Sequence, residues 1–238
     1  MDRTAIEKIV ELGAPNIIGV DNGHTYSDKP LHVIEAPRTA TLFFHTLDGL
    51  VQVLTAEHQR ISAPILVNVF DEENIIVYSA IDYDDRKRET PYKVNAELVE
   101  IPFNRRLDYE QMMITLKSKF VETPELLELV KLLGSITEEN SAAVSDDGFT
   151  QSVVVRKGIA LKEGKTVQPI VKLKPYRTFN EVEQPESEFL LRLSDGAQVA
   201  LYEADGGAWK LTARRNIADY LRKQLAALID DGIVIVVE

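Results

Sequence analysis

Asp82, Asp84 and Asp85, in the stretch "DYDDRKRETP", bring together the hard carboxylate oxygens that Mg2+ or Ca2+ takes as ligands. Arg86, Lys87 and Arg88 follow at once, so the cluster reads as a solvated loop tip carrying both signs of charge rather than a metal site. His24 stands in a turn-rich stretch with Tyr26 and Asp28 and would serve as an acid or base if the fold brought a carboxylate to it. Without that partner it is a surface-loop histidine, and His32, His45 and His58 show no ligand spacing with it. Arg214, Arg215, Arg222 and Lys223 make a basic stripe near the C-terminal end, suited to phosphate or an acidic partner. The plainer reading is the solvated face of an amphipathic helix, with Asp219 four residues before Lys223 as a surface ion pair. Gly206-Gly207 would let a backbone approach a ligand on which Trp209, the single tryptophan, stacks; a tight turn over a buried Trp209 is the preferred alternative. Phosphate-binding glycine loops, nucleophile elbows and H-E-x-x-H zinc motifs are absent from the sequence, and we assign no catalytic residue, metal or cofactor.

The elements that would carry these residues alternate between helical and strand periods. Asp2 can cap a short helix with Ile6, Ile9 and Val10 on one face, ended by Gly13 and Pro15. "LHVIEA" reads as a strand, and Thr46 caps a helix with Leu47, Leu50, Val51 and Leu54 at helical spacing, weakened by Gly49. "ILVNVF" and "IIVYSAI" form a hairpin about Asp71-Glu72-Glu73-Asn74, and "YKVNAELVEI" alternates as a half-buried strand. Two helices follow. Asp108 with Gln111 opens one, while Thr123-Pro124 opens a leucine-rich second that Gly134 closes. "FTQSVVVRKG" with "VQPIVKLKPY", and "EFLLRL" with "VALYEA", read as two hairpins, and "DGGAWKL" as a turn and short strand. Ile217, Leu221, Leu225 and Leu228 mark a last helix, and "IVIVV" is a strand apolar enough to be covered on both faces. The fold class is α+β, with mostly antiparallel sheets and packed helices, as one large domain or two lobes. In the two-lobe form, residues 1–134 make an N-terminal α+β lobe, 135–148 a linker or crossover, and 149–238 a β-rich lobe closed by a helix and a strand.

The chain has 238 residues, 45% of them hydrophobic and 27% charged, an ordinary globular composition. A formal net charge of -11 argues against a general nucleic-acid ligand and against anionic membranes. With no cysteine there are no disulfides, no thiolate metal sites and no thiol nucleophile. No apolar run reaches the roughly 18 residues of a membrane span, and "MDRTAIEKIVELG" lacks the apolar core of an export signal. The expectation is a soluble cytoplasmic protein.

One connection is unusual. "LKPYRTFNEVEQPESEFLLRL", Leu173 to Leu193, places Pro175 and Pro185, Tyr176-Arg177, Phe179 and several acids between two strands. Proline and the residue before it are confined to extended conformations, so this crossover holds one shape. Tyr176 and Phe179 would pin it to a core, and Arg177 would bond Glu181, Glu183 or a neighbouring chain; core anchoring is preferred to partner contact. With "DDGFTQSVVVRKG" before it, "LYEADGGAWKL" after it and "HTLDGLV" further back, the stretch resembles the YfdQ-like family of tailed-phage and prophage proteins, a domain of unknown function. The resemblance extends over most of the chain and brings no catalytic residues. It implies a phage gene product working in the bacterial cytoplasm. The first expectation for function is a non-catalytic accessory protein that forms homo-oligomers and binds a host or phage protein. A subunit of a capsid-like shell and an enzyme or nucleotide binder that counters host defence are the alternatives.

Overall fold

Apolar residues recurring every three or four positions make Arg3–Gly13 the expected helix, α1, although Asp2 at its start makes no side-chain cap. A computed structural model describes residues 2–14, 17–19, 25–27, 40–61, 64–81, 87–144, 169–194 and 198–238. The chain divides into two units, Met1–Thr39 and Ala40–Glu238. In the first, β1 (Ile17–Gly19) and β2 (Thr25–Ser27) pair antiparallel, with Ile17 opposite Ser27. The strand expected in "LHVIEA" lies outside the described residues.

The second unit runs β3 (Leu42–Phe44), α2 (Leu47–Glu57), β4 (Ile65–Val69), β5 (Asn74–Tyr78), β6 (Tyr92–Asn95), β7 (Leu107–Asp108), α3 (Tyr109–Lys119) and α4 (Pro124–Val144). It continues with β8 (Ile170–Leu173), β9 (Ser187–Ser194), β10 (Gln198–Glu203), α5 (Trp209–Gln224), α6 (Ala226–Asp230) and β11 (Val234–Val237). Two sheets result, one ordered β11-β4-β5-β6-β3 and the other β7-β10-β9-β8. Pairing is antiparallel except at the margins of the larger sheet, where β11 runs parallel to β4 and β3 parallel to β6. The class is α+β.

Each sheet carries helices on one face. Leu47, Leu50 and Leu54 of α2 pack with Ile217, Ala218 and Leu221 of α5 onto Val67, Val77 and Val94. Fully burying a side chain of that size is worth roughly 1.5–3 kcal/mol, so the spacing that the sequence shows in α2 places one of the larger stabilising blocks of the fold. Met112 and Leu116 of α3 and Leu126, Leu129 and Leu133 of α4 cover Phe189 and Leu191 of β9 and Leu201 of β10. Caps lie where side-chain chemistry puts them: Thr46 accepts from the Gly49 N–H at 3.2 Å, Asp108 from Gln111 at 2.8 Å, and Thr123 from Leu126 at 3.2 Å.

Several expectations are corrected. Both sheets take strands from either side of residues 135–148, since β7 pairs with β10 and β4 with β11, so the expected lobes do not coincide with the sheets. Gly134 does not close α4, which runs on to Val144: a glycine costs a helix about 1 kcal/mol without ending it, and "SITEENSAAV" contains no proline. β6 stops at Asn95, short of the strand read over "YKVNAELVEI". "WKL" opens α5 instead of forming a strand, because the left-handed Gly206 and Gly207 turn the chain directly into a helix. β11 is an edge strand with one open face, leaving Ile235 51% exposed rather than covered on both faces. The first β-rich stretch, "FTQSVVVRKG", lies outside the described residues.

Candidate interaction surface

The crossover from β8 to β9 is built first by its prolines and a buried glutamine. Pro175 bridges to Phe120 across a short antiparallel contact, in which Val121 donates to the Lys174 carbonyl and Tyr176 to the Lys119 carbonyl. Gln184, buried, accepts from the Arg177 and Thr178 N–H groups at 3.0 and 3.3 Å and donates to the Phe179 carbonyl at 2.9 Å. A chain that turns away from both sheets thus finds its backbone partners within itself. Thr178 donates through Oγ1 to the Glu72 carbonyl in the β4–β5 turn, and Glu181 accepts from the Leu47 N–H at the start of α2. Phe179 and Val182 join the core under the larger sheet, while Leu173 and Phe189, at either end, belong to the core under the smaller one. Pro175 and Pro185 are buried. Tyr176 is half-buried and lines a shallow cleft of about 350 Å3 with Leu98, Val99, Ser118 and Asn180.

Arg177 sits where the two cores meet, and its partners differ from those read in the sequence. Its Nη1 donates to Glu203 at 2.7 Å, and Nη2 donates to the Ser187 hydroxyl and lies 3.8 Å from Asp205. The guanidinium stacks on Trp209, 3.8 Å from the ring centroid, and faces Phe189 at 5.7 Å. Glu181 is spent on α2 and Glu183 on Lys174, at 2.6 Å, so neither reaches it. Burial pulls the guanidinium down to about 10 against the opposing pull of Glu203 and Asp205; it remains charged at neutral pH. At Asp205 burial acts to raise the carboxyl, but the Ser187 hydroxyl, the Gly207 N–H and Arg177 together outweigh it and hold it below its ordinary value. The serine already hydrogen-bonds the arginine and Asp205, no described histidine joins the cluster, and within it the buried Arg177 Nε has no hydrogen-bond partner among the described residues. Its charges hold the two layers together, and Trp209 lies buried beneath the glycine turn.

The weaker ligand candidates do not converge. His24, Asp82, Asp84 and Asp85 lie outside the described residues. Arg214 is half-buried and Arg215 exposed. Arg222, rather than Lys223, pairs with Asp219 at 3.2 Å. Among the described residues no three His, Cys, Asp or Glu side chains are grouped to hold a metal, and no helix is long and apolar enough to cross a membrane.

What the described elements leave uncovered on the larger sheet is largely apolar. With α2 and α5 against one face of the larger sheet, every second residue of its strands points away from them. The register lines up Val237, Asn68, Ile76, Lys93 and Phe43 across all five strands, and Ile235, Leu66 and Tyr78 in a parallel row. Phe43 is 63% exposed, Phe70, just past β4, 58%, and Val237 38%, while Leu66, Asn68, Ile76, Tyr78 and Lys93 between these margins are half-buried. The smaller sheet carries more charge on its outer face: Lys172 stands 3.7 Å from Glu188, with Arg192 four residues further along β9, beside the apolar pair Ile170 and Leu190. In the first unit, α1 likewise leaves Ile6, Ile9, Val10 and Leu12 exposed, opposite the ion pairs Arg3–Glu7 and Lys8–Glu11. Sequence reasoning missed the sheet face. Its signal was present in "ILVNVF" and "IVIVV", which are apolar at both parities, but such a run reads equally well as a strand covered on both sides.

Comparison with family models, curated proteins and solved structures found no match.

Proposed function

We propose that this chain is a non-catalytic protein that self-associates and acts by binding another protein. The observation that supports it is the contrast between a buried polar cluster paired mostly within the chain and a sheet face whose apolar side chains no described element covers. Apolar surface left open in this way, most exposed at Phe43, Phe70 and Ile235, marks interaction sites. A tailed-phage or prophage origin, and work as an accessory protein in a bacterial host cytoplasm, rest on the resemblance carried by Leu173 to Leu193.

Light scattering across a range of protein concentration, with absorbance read at protein and nucleic-acid wavelengths, tests this reading. A small defined oligomer free of nucleic acid is expected. Monomers at every concentration, with no partner retained on the immobilised protein, would overturn it, and a megadalton particle would replace it with the shell alternative. A stabilising shift with a nucleotide or metal would instead favour the ligand-binding alternative, since a ligand held only by the native state must raise apparent stability.

A further inference from the structure

We infer that the open face of the five-stranded sheet is where a second copy of this chain packs, sheet against sheet across a two-fold axis along β5. The inference rests on the self-association proposed above and names its surface, its partner and its symmetry.

Charge comes first. The chain carries a net charge of -11, yet the residues that the register places across this face include one charge, Lys93, and no carboxylate. Two strongly acidic molecules repel over most of their surfaces; here they can meet without burying like carboxylates. A partner chosen by charge would need something to read, and the face offers almost nothing. Symmetry then places the one cation. With Ile76 of the central strand on an axis running along β5, Lys93 of one protomer lies over Asn68 of its partner, an amide that can accept from it, and Phe43 lies over Val237. An axis across the strands would instead set lysine over lysine.

Size agrees. Five strands of three to five residues, spaced ~4.8 Å apart, cover on the order of 300–400 Å2 in projection. That is within about a factor of two to three of the ~800 Å2 of accessible surface that each partner buries in a standard interface, before the relief of the side chains is counted. Face-to-face sheets with interleaved apolar side chains are a known packing mode, with sheets about 10 Å apart.

The test compares the full chain with two sets of variants in sedimentation equilibrium, after circular dichroism has shown each to be folded. Wild type should give about twice the 26.7 kDa chain mass, or a higher even multiple. Phe43→Asp with Val237→Asp, at exposed margins of the face, should weaken association at least tenfold, while Ile9→Asp on α1 should leave it unchanged. In the cysteine-free chain, Ile76→Cys should be joined to itself by a short bis-maleimide, whose reach suits sheets about 10 Å apart, and Glu128→Cys, exposed on α4, should not. An oligomer that survives the double Asp variant, or one that Ile9→Asp dissociates in its place, overturns this inference and leaves self-association standing. A wild-type monomer at every concentration overturns both.

Discussion

Arg177 is the residue on which the junction between the cores turns. Its stack on Trp209 and its bonds to Glu203 and Ser187 use the flat, forked geometry that only a guanidinium has. Arg177→Met should therefore cost about 3 kcal/mol, the lower end for breaking a buried pair because Glu203 keeps some solvent, and Arg177→Lys should recover little of it. Urea unfolding followed by fluorescence of Trp209, the single tryptophan, measures both. Asp205 adds a pH dependence whose sign is set by its lowered pKa. Its unfolded value lies near 3.8 and its folded value below that, so its contribution is complete at pH above 3.8 and is lost as pH falls through the folded value. Asp205→Asn should be less stable than wild type at neutral pH, with the gap closing under acid. A gap that persists or widens below pH 3.8 would mean that the carboxylate charge is not what matters there.

At the scale of the element, two helical glycines make opposite predictions. Gly134 lies inside α4 with nothing within 4 Å of where a Cβ would stand, so Gly134→Ala should stabilise by about 0.5–1 kcal/mol through helix propensity alone. Gly49 lies in the first turn of α2, where a Cβ would come within 3.0 Å of Thr46 Oγ1 and 3.2 Å of the Phe44 ring. Gly49→Ala should therefore lower the thermal midpoint by pushing Thr46 off its cap, even though alanine is the better helix former. The same turn explains how the crossover positions a helix distant in sequence: Glu181 supplies a carboxylate to the Leu47 N–H, where the helix dipole favours negative charge. The crossover, read in the sequence as pinned to a core in preference to a partner, is bonded to this unit's own elements.

For the whole molecule, the prediction is a thermal midpoint that rises with protein concentration, because folding is then linked to association. Differential scanning calorimetry over a hundredfold range of concentration should show this for wild type and not for Phe43→Asp with Val237→Asp. A midpoint independent of concentration in wild type would mean that the open face has no second copy on it. The larger sheet is exposed in this way because its helices lie on one side only, and an antiparallel sheet with one covered face normally presents polar residues on the other. Here that alternation fails in β4, β5 and β11, where Leu66, Ile76 and Ile235 face away from the helices.

By itself the sequence determined the local structure where a chemical device acts within a few residues. Thr46, Asp108 and Thr123 start helices by hydrogen bonds three positions along, and Asp71 through Asn74 closes a hairpin, so each was legible without knowing what lay nearby. The α+β class followed from the alternation of the two periods. The partners of Arg177 were not legible, because Glu203 and Asp205 lie 26 and 28 positions away and are brought to it only by the pairing of β9 with β10. Nor was the length of α4, since a glycine at helical angles and a glycine that ends a helix are the same letter. Which face of an all-apolar strand stays uncovered depends on which elements pack against it. Hydrophobic burial is non-directional, so the run "IVIVV" states that the strand prefers to leave water and not what will cover it; the tertiary structure, by placing α2 and α5 on one side, decided that the other side was left open.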